Sequence, residues 1–235
     1  MNSRSRLWEA LHLALLAGLP WDGVRAEPID VTVGVASSTV LRGVAFGDGG
    51  VDAHAAATYI HPSGWRATLG VTALHSKLTR RYWDAQWFWR VGYARRLDDV
   101  WSAQLALARY TYSGSTLRRY GYDELGTTLA YRDLLYLSIA GLRRGDGQAA
   151  TRSSVAYDLV ARHALPAPLA LSAGVGRLDS RGRSNDSYAY GHLGLDALWG
   201  TTQARLTYIA TDAAAKRRFG EAAANRWITT LGWNF

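Results

Sequence analysis

The residues best suited to chemistry in this sequence are its histidines and two pairs of adjacent acids. Beyond residue 26 the histidines are His54, His61, His75, His163 and His192. His54 and His192 are predicted to face the interior of the fold, but neither has a serine and an acid in a recognisable nucleophile pattern. We therefore expect hydrogen-bonded interior histidines rather than general bases.

The acid pairs are Asp98-Asp99 and Asp123-Glu124. Asp98-Asp99 lies in a predicted short turn, while Asp123-Glu124 lies near a predicted long loop, where an acid pair could activate water or bind a divalent ion. Neighbouring residues of a strand point to opposite faces, so these two carboxylates should diverge. With no cysteine, Gly-rich phosphate loop, zinc helix or nucleophile elbow, we predict no catalytic residue, no metal site and no cofactor.

The elements that position these residues are predicted to be strands, because apolar and polar residues alternate from Ile29 onward. In the clearest segment one face carries Trp83, Ala85, Trp87, Trp89, Val91 and Tyr93. The other face carries Asp84, Gln86, Phe88, Arg90 and Gly92. This alternation predicts one face for lipid and the other for water.

Twelve such segments can be drawn: 29–41, 51–61, 65–73, 83–93, 101–108, 122–132, 134–142, 153–165, 169–177, 188–199, 202–211 and 225–235. Most have the roughly 9 to 12 residues that a tilted strand needs to cross a bilayer. Short turns alternate with long polar loops between them. The pattern predicts an all-β fold, a transmembrane antiparallel up-and-down β-barrel of about 12 strands with both termini periplasmic. A soluble sandwich or lipocalin-like barrel is the alternative, disfavoured by the strand number and the charged inner face.

Residues 1–26 predict a secretory signal peptide, which leaves 27–235 as the barrel domain. Arg4 and Arg6 precede an apolar stretch, and Val24-Arg25-Ala26 has the small-x-small form of a cleavage site. The alternative is a short N-terminal amphipathic helix. No later stretch approaches the about 18 apolar residues of a spanning helix, so a membrane protein with this sequence must be a barrel. We expect export to a Gram-negative outer membrane.

Aromatic residues predict two girdles at the membrane interfaces. Beside the short turns lie Tyr59, Trp65, Tyr93, Trp101, Tyr131 and Trp199. Toward the long loops lie Trp83, Tyr110, Tyr188, Tyr208 and Trp227. The C-terminal Phe235 resembles the signature that outer-membrane barrels present to their assembly machinery, which is therefore an expected partner.

Several segments resemble the TorF family of porins. Val33-Gly34-Val35-Ala36-Ser37-Ser38, continuing through Arg42-Gly43-Val44-Ala45 to Tyr59 and Gly64-Trp65, resembles the family's opening hairpin. Tyr122-Asp123-Glu124-Leu125 with Tyr131-Arg132-Asp133 is similar to its middle strands. The Gln-Gly and Trp-x-Ser-Asn elements of that first hairpin are missing here. The resemblance implies an outer-membrane porin barrel without catalytic residues.

Basic residues are concentrated in the predicted loops. The chain carries a net charge of +8, and five loops hold fourteen Lys and Arg against five Asp and Glu. We expect a subset to contact lipopolysaccharide or other anions, since Arg pairs with phosphate: Lys77, Arg80, Arg81, Arg118, Arg119, Arg143, Arg144, Lys216, Arg217 and Arg218. Simple solvation of these residues is the equal alternative. An exported barrel is not expected to bind nucleic acid despite the high isoelectric point.

Ten charged residues are predicted to line the interior: Asp52, Arg66, Asp84, Arg90, Glu124, Arg132, Asp158, Arg162, Asp196 and Arg205. Unpaired, they would form an axial field in an open lumen, and paired across it they would block it. Inward glycines, among them Gly70 and Gly174, favour open space. We predict a channel for passive diffusion of small hydrophilic solutes. The alternatives are a closed structural or adhesive barrel and, less favoured, an outer-membrane hydrolase.

Overall fold

The computed structural model describes residues 29–46, 50–75, 83–113, 121–144, 153–181 and 187–235, so the predicted signal peptide at 1–26 lies outside the described residues. The strands are β1 (Ile29–Ala36), β2 (Val40–Leu41), β3 (Val44–Ala45), β4 (Asp52–Ile60), β5 (Trp65–His75), β6 (Trp83–Arg96), β7 (Trp101–Tyr112), β8 (Tyr122–Tyr131), β9 (Leu135–Arg144), β10 (Ser153–Ala164), β11 (Leu169–Arg181), β12 (Tyr188–Trp199), β13 (Thr202–Thr211) and β14 (Arg226–Asn234). Between β13 and β14 lie the helix α1 (Ala213–Phe219) and a 3₁₀ turn (Gly220–Ala223).

Twelve of these strands, all except β2 and β3, close into one antiparallel barrel in which β1 pairs with β14. The first and last strands meet at one rim, where the Phe235 N–H donates to the Val31 carbonyl at 2.8 Å. We call this rim, which also carries the short connections between strands, the turn end, and the opposite rim the loop end. The predicted transmembrane barrel of twelve strands is confirmed.

Side chains alternate strictly between the two faces of the wall. Leu69 is 69% exposed and Trp87 and Leu105 are each 56% exposed on the outside, whereas Asp84 and Gln86 are buried inside. A continuous apolar outer surface of this extent is unstable in water and suits lipid. The alternative of a soluble barrel with a dry core is therefore wrong. No helix among the described residues is long and apolar enough to cross a bilayer.

The aromatic girdle at the turn end is present. On the outer wall Trp65 packs on Tyr93 with ring centroids 5.3 Å apart, and Trp101 packs on Tyr131 at 5.0 Å. Tyr59 and Trp199 are also exposed there.

The girdle at the loop end is only partly as predicted. The outward pair Tyr208 and Trp227 is present, with centroids 5.1 Å apart. Tyr110 and Tyr188 were expected beside them, but they are 6% and 5% exposed and point into the barrel. Their strand register places them on the interior face, and burial of a ring with a polar hydroxyl is favourable there.

Two loop-end segments have structure that the alternation did not indicate. The first predicted strand, 29–41, is shorter, because β1 ends at Ala36 and the chain then turns inward as the β2–β3 hairpin. The predicted 211–224 loop contains α1, whose N-terminal cap is Asp212. The Asp212 carboxylate accepts hydrogen bonds from the backbone N–H of Ala215 at 2.8 Å and of Ala189 at 2.9 Å. It thereby ties the helix to β12.

Candidate functional site in the barrel interior

Large rings inside the barrel lie over glycines on the neighbouring strand. Phe88 is directly opposite Gly70, and a Cβ at Gly70 would lie 2.3 Å from the Phe88 ring. His192 is opposite Gly174 in the same way, with 2.4 Å to its Cε1. The rings therefore occupy the space that these glycines leave. The expectation that Gly70 and Gly174 keep the lumen open is wrong.

The β2–β3 hairpin reverses direction at Arg42 and Gly43, which both have positive φ, 48° and 81°. Two consecutive positive φ angles are the signature of a type I′ turn, which matches the twist of the flanking strands. The hairpin base is fixed by the Thr39 N–H, which donates to the Asp52 carboxylate at 2.5 Å. The Phe46 N–H donates to the Thr39 carbonyl at 3.0 Å.

This hairpin reaches across the loop end of the interior. On one side Phe46 stacks on Tyr112 of β7, with ring centroids 5.7 Å apart. On the other side Val44 packs against the cluster of Tyr188, Ala215 and Ala223. Since β7 and β12 are separated by four strands along the shorter way around the barrel, the hairpin bridges different parts of the wall.

An ion pair joins the hairpin tip to the wall. Arg42 Nη2 lies 3.0 Å from Glu124 Oε2 of β8, and the side chains are 6% and 5% exposed. Burial is the largest single influence on Arg42 and disfavours its charge, but the surrounding acidic groups, of which Glu124 contributes most, together outweigh burial and raise the pKa of the guanidinium above its ordinary value. The contact couples the hairpin to the far wall.

Behind the hairpin, aromatic rings form a stacked row on the interior face of β6, β7 and β8. Phe88 stacks on Tyr110 with centroids 5.7 Å apart, and Tyr110 stacks on Tyr122 at 4.6 Å. Leu41 of the hairpin packs against the same cluster. Offset stacking of this kind adds to the stability gained from burial alone.

The predicted lining acids lie inside the barrel, and they have different kinds of partner. Asp52 accepts a hydrogen bond from the His75 N–H at 2.8 Å in addition to that from Thr39. Asp158 accepts one from the Tyr190 hydroxyl at 2.5 Å. Asp196 is paired with Arg205. Among these contacts, only Asp196 and Arg205 pair two of the predicted lining charges, and they lie on neighbouring strands rather than across the lumen.

The remaining lining residues divide into two groups. Asp84 is buried and Arg66, Arg90 and Arg162 are half-buried, all on the interior face. Arg132 was also expected there, but it lies in the turn after β8 with φ of 49° and is exposed, its guanidinium carbon 5.5 Å from the centre of the Tyr131 ring. The prediction for Arg132 is wrong because the strand ends one residue earlier, at Tyr131.

Half of the residues expected to contact lipopolysaccharide are described. Arg143, Lys216 and Arg217 are exposed at the loop end, and Arg144 and Arg218 are half-buried. Arg218 lies over the Phe219 ring, 4.8 Å from its centre. The rest lie outside the described residues: Lys77, Arg80, Arg81, Arg118 and Arg119.

Of the candidate chemical residues, His61 and Asp98 make contacts in turns, whereas His54 is not hydrogen-bonded as expected: its Nε2 is buried and has no hydrogen-bond partner among the described residues. His61 Nδ1 lies 2.6 Å from the Ser63 hydroxyl in the exposed β4–β5 turn. Asp98 caps the β6–β7 turn, where N–H groups of Val100 and Trp101 lower the pKa of its carboxyl. Asp123 and Glu124 diverge as expected, outward and inward. Among the described ranges, no three His, Cys, Asp or Glu are grouped so that they could hold a metal ion.

Sequence reasoning missed the hairpin and the tyrosines that receive it. Arg42-Gly43 between the apolar pairs Val40-Leu41 and Val44-Ala45 is a short hairpin signal, since glycine tolerates positive φ. Tyr112, Tyr122 and Tyr190 share the inward face with Glu124 and Asp158, which the alternation alone could have indicated.

No family model and no curated protein matches the chain. Several solved structures are similar to it in fold. The KdgM porin aligns with a TM-score of 0.54 and 8% identity, over 88% of this chain and 98% of that one. The NanC porin aligns at 0.55 and 14%, over 88% and 97%. LpxR from Salmonella typhimurium aligns at 0.50 and 6%, over 88% and 99%. At these identities the likeness establishes the fold alone, a closed antiparallel barrel of twelve strands.

Proposed function

We propose that this chain is a narrow outer-membrane channel for the passive diffusion of small hydrophilic solutes, closed at its loop end by the β2–β3 hairpin. The observation that carries the proposal is that the interior has room for a two-stranded hairpin between opposite parts of the wall. Two paired strands are about 4.8 Å apart, so their removal would leave a passage on the order of 10 Å wide.

Three other observations support a channel. The outer wall is apolar and the inner wall carries acids, arginines, glutamines and hydroxyls, which suits water inside and lipid outside. The fold resembles those of the KdgM and NanC porins. The hairpin belongs to a loop and takes no part in the barrel ladder, so the wall would stay closed without it.

The wider assignment belongs to the same proposal. It comprises export by the segment 1–26, insertion through recognition of Phe235, membership of the TorF family and contact of basic loop residues with lipopolysaccharide. Each of these expectations comes from the sequence. Each agrees with a barrel that has an apolar outer wall and basic residues at its loop end.

A closed structural or adhesive barrel is the second candidate. The buried Arg42–Glu124 pair and the stacked tyrosines favour it, because they hold the hairpin inside with contacts on both sides. A closed barrel would present its loops for binding and pass no solute.

Planar-bilayer recording of the folded, heat-modifiable protein separates the two candidates. The informative variant replaces residues 39–46 with a Gly-Ser segment of equal length. The channel predicts small or intermittent currents for the wild type and a severalfold larger conductance for this variant. A matched control replaces an equal number of residues in the β9–β10 loop and should behave as the wild type. No current from either the wild type or the hairpin variant would overturn the channel and favour the closed barrel.

A further inference from the structure

The outer wall has an apolar groove of about 490 Å³ along β4, β5 and β6. Its floor is formed by the small side chains of Ala55 and Ala57 on β4, with Val31 of β1 on one side. On the other side lie Leu69 and Val71 of β5 and, beyond them, Trp87 and Trp89 of β6. The groove exists because small outward residues of β4 lie between much larger ones. Its volume and apolar lining suit a hydrocarbon chain.

A row of charged side chains crosses the outer wall at the loop end. Arg109, Asp123 and Arg143 are directly opposite one another on β7, β8 and β9. Arg109 Nε lies 3.7 Å from Asp123 Oδ1, and the two side chains are 51% and 44% exposed. Arg143 is exposed as well. An exposed pair of this length contributes little to stability, and the row carries an excess positive charge.

The groove and the charged row adjoin each other. Trp89, which lines the groove, is directly opposite Arg109 in the β6–β7 register. Thr111, which lines the groove near the loop end of β7, is two residues from Arg109 and lies on the same face of the strand. Below the row the wall is again apolar, with Leu107 and Leu125 45% and 56% exposed. An apolar groove that leads to a cationic row matches a lipid with an anionic headgroup.

We propose that this surface binds one phosphorylated glycolipid of the outer leaflet, a lipopolysaccharide, with an acyl chain in the groove and its phosphates over the Arg109–Arg143 row. Guanidinium groups bind phosphate through paired, charge-assisted hydrogen bonds, and the loop-end position places them at the height of the headgroups. The inference rests on the outer-membrane location in the proposed function. It does not depend on conduction through the barrel.

The test measures binding of purified lipopolysaccharide to the folded protein in phosphatidylcholine nanodiscs. Each arginine near an anionic lipid surface contributes enough that R109A/R143A should bind roughly thirtyfold more weakly. The matched control is R95A/R96A, which removes two exposed arginines at the turn end and should leave the affinity unchanged. Equal affinities for the two double variants would overturn the phosphate contact.

A second pair of variants tests the groove without changing charge. A55L/A57L fills its floor and should weaken binding at least tenfold, whereas A161L/A173L enlarges two exposed alanines on β10 and β11 and should have no effect. A dephosphorylated glycolipid should bind the wild type and R109A/R143A equally. Equal binding of A55L/A57L and its control would overturn the groove as the acyl site. Bilayer currents of the same variants report on the channel separately.

Discussion

The two ends of the barrel interior differ in the contacts that their polar side chains make. At the turn end, polar side chains pair with the residue directly opposite on the next strand. The hydroxyls of Thr58 and Thr68 are 3.0 Å apart, and those of Thr128 and Ser138 are 2.9 Å apart. At the loop end, Arg42 and Phe46 contact strands with which their own segment is not paired. The described polar contacts at the turn end therefore lie within the wall, whereas the loop end is occupied by a separate segment.

This difference teaches that stability and closure are separable in this barrel. Breaking a cross-strand side-chain pair at the turn end removes a contact between neighbouring strands of the wall. Displacing the hairpin leaves every barrel strand with its neighbours. Four predictions test this distinction, ordered by the size of the expected effect.

The largest effect is expected at the turn end for Arg205→Ala. This substitution leaves the Asp196 carboxylate, 1% exposed, without its charged partner, so the free energy of unfolding should fall by about 3–5 kcal/mol. Urea unfolding in lipid vesicles, followed by tryptophan fluorescence, measures this change. Arg132→Ala removes an exposed arginine at the same rim and should change stability by less than about 0.5 kcal/mol. Equal losses for the two variants would contradict the importance of the pair.

The next effect concerns the hairpin tip. Arg42→Ala and Glu124→Gln should each raise conductance, because the pair holds the hairpin in place. Urea unfolding should change less than for Arg205→Ala, because the hairpin can move away and leave the remaining group in contact with water, whereas Asp196 is held in the wall. A double-mutant cycle on the closed fraction should give a coupling of up to about 3 kcal/mol. Additive effects, with no coupling, would show that the two charges act independently and would weaken the comparison between the ends.

Two glycines with positive φ allow a matched test of packing against backbone strain. A Cβ at Gly43 would lie 2.6 Å from Thr211 Cγ2, whereas a Cβ at Gly200 has no atom within 4 Å. Both alanine variants strain the backbone by about 1–2 kcal/mol, but only Gly43→Ala should also displace the hairpin and raise conductance. A similar rise in conductance for Gly200→Ala would show that strain alone is responsible.

The smallest effect is a pH dependence at the loop end. Partial desolvation raises the pKa of Asp212, but the N–H groups of Ala215, Ala189 and Ala214 outweigh it, so the pKa lies below the ordinary aspartate value. A lowered pKa means that the stabilisation is present above the unfolded value near 3.9 and is lost as the pH falls through the folded value.

Below about pH 4 the cap should be lost, which destabilises α1 by about 1 kcal/mol. Protease cleavage near 213–223 should therefore become faster. In the Asp212→Ala variant this dependence on pH should disappear, and the protein should be cleaved rapidly at neutral pH as well. An unchanged pH dependence in that variant would assign the effect to another group.

Much of the wall was predictable from the sequence because a strand has a side-chain period of two. That period is enough to place Trp87, Trp89, Leu105 and Leu107 outside and Asp84 and Arg90 inside. It fails where a strand ends, as at Arg132, and where the residue type conflicts with the face, as at Tyr110 and Tyr188. Aromatic residues suit both a lipid interface and a packed interior, so their type alone does not decide between them.

The contents of the interior were less predictable. Considered one strand at a time, the inward glycines predict empty space in the interior. The neighbouring strand supplies a ring that fills this space, as Phe88 does over Gly70. The contact between Arg42 and Glu124 spans 82 positions of sequence, and no local pattern indicates it.

The amino-acid sequence by itself determined the closed β wall, its lipid-facing side and the separation of short turns from long loops. These properties follow from local alternation and turn chemistry, which each segment carries independently. Only the tertiary structure decided which loop enters the barrel, which charges pair across it and where the outer groove meets the arginine row. Those features depend on distances between residues far apart in sequence, and such distances exist only once the barrel has closed.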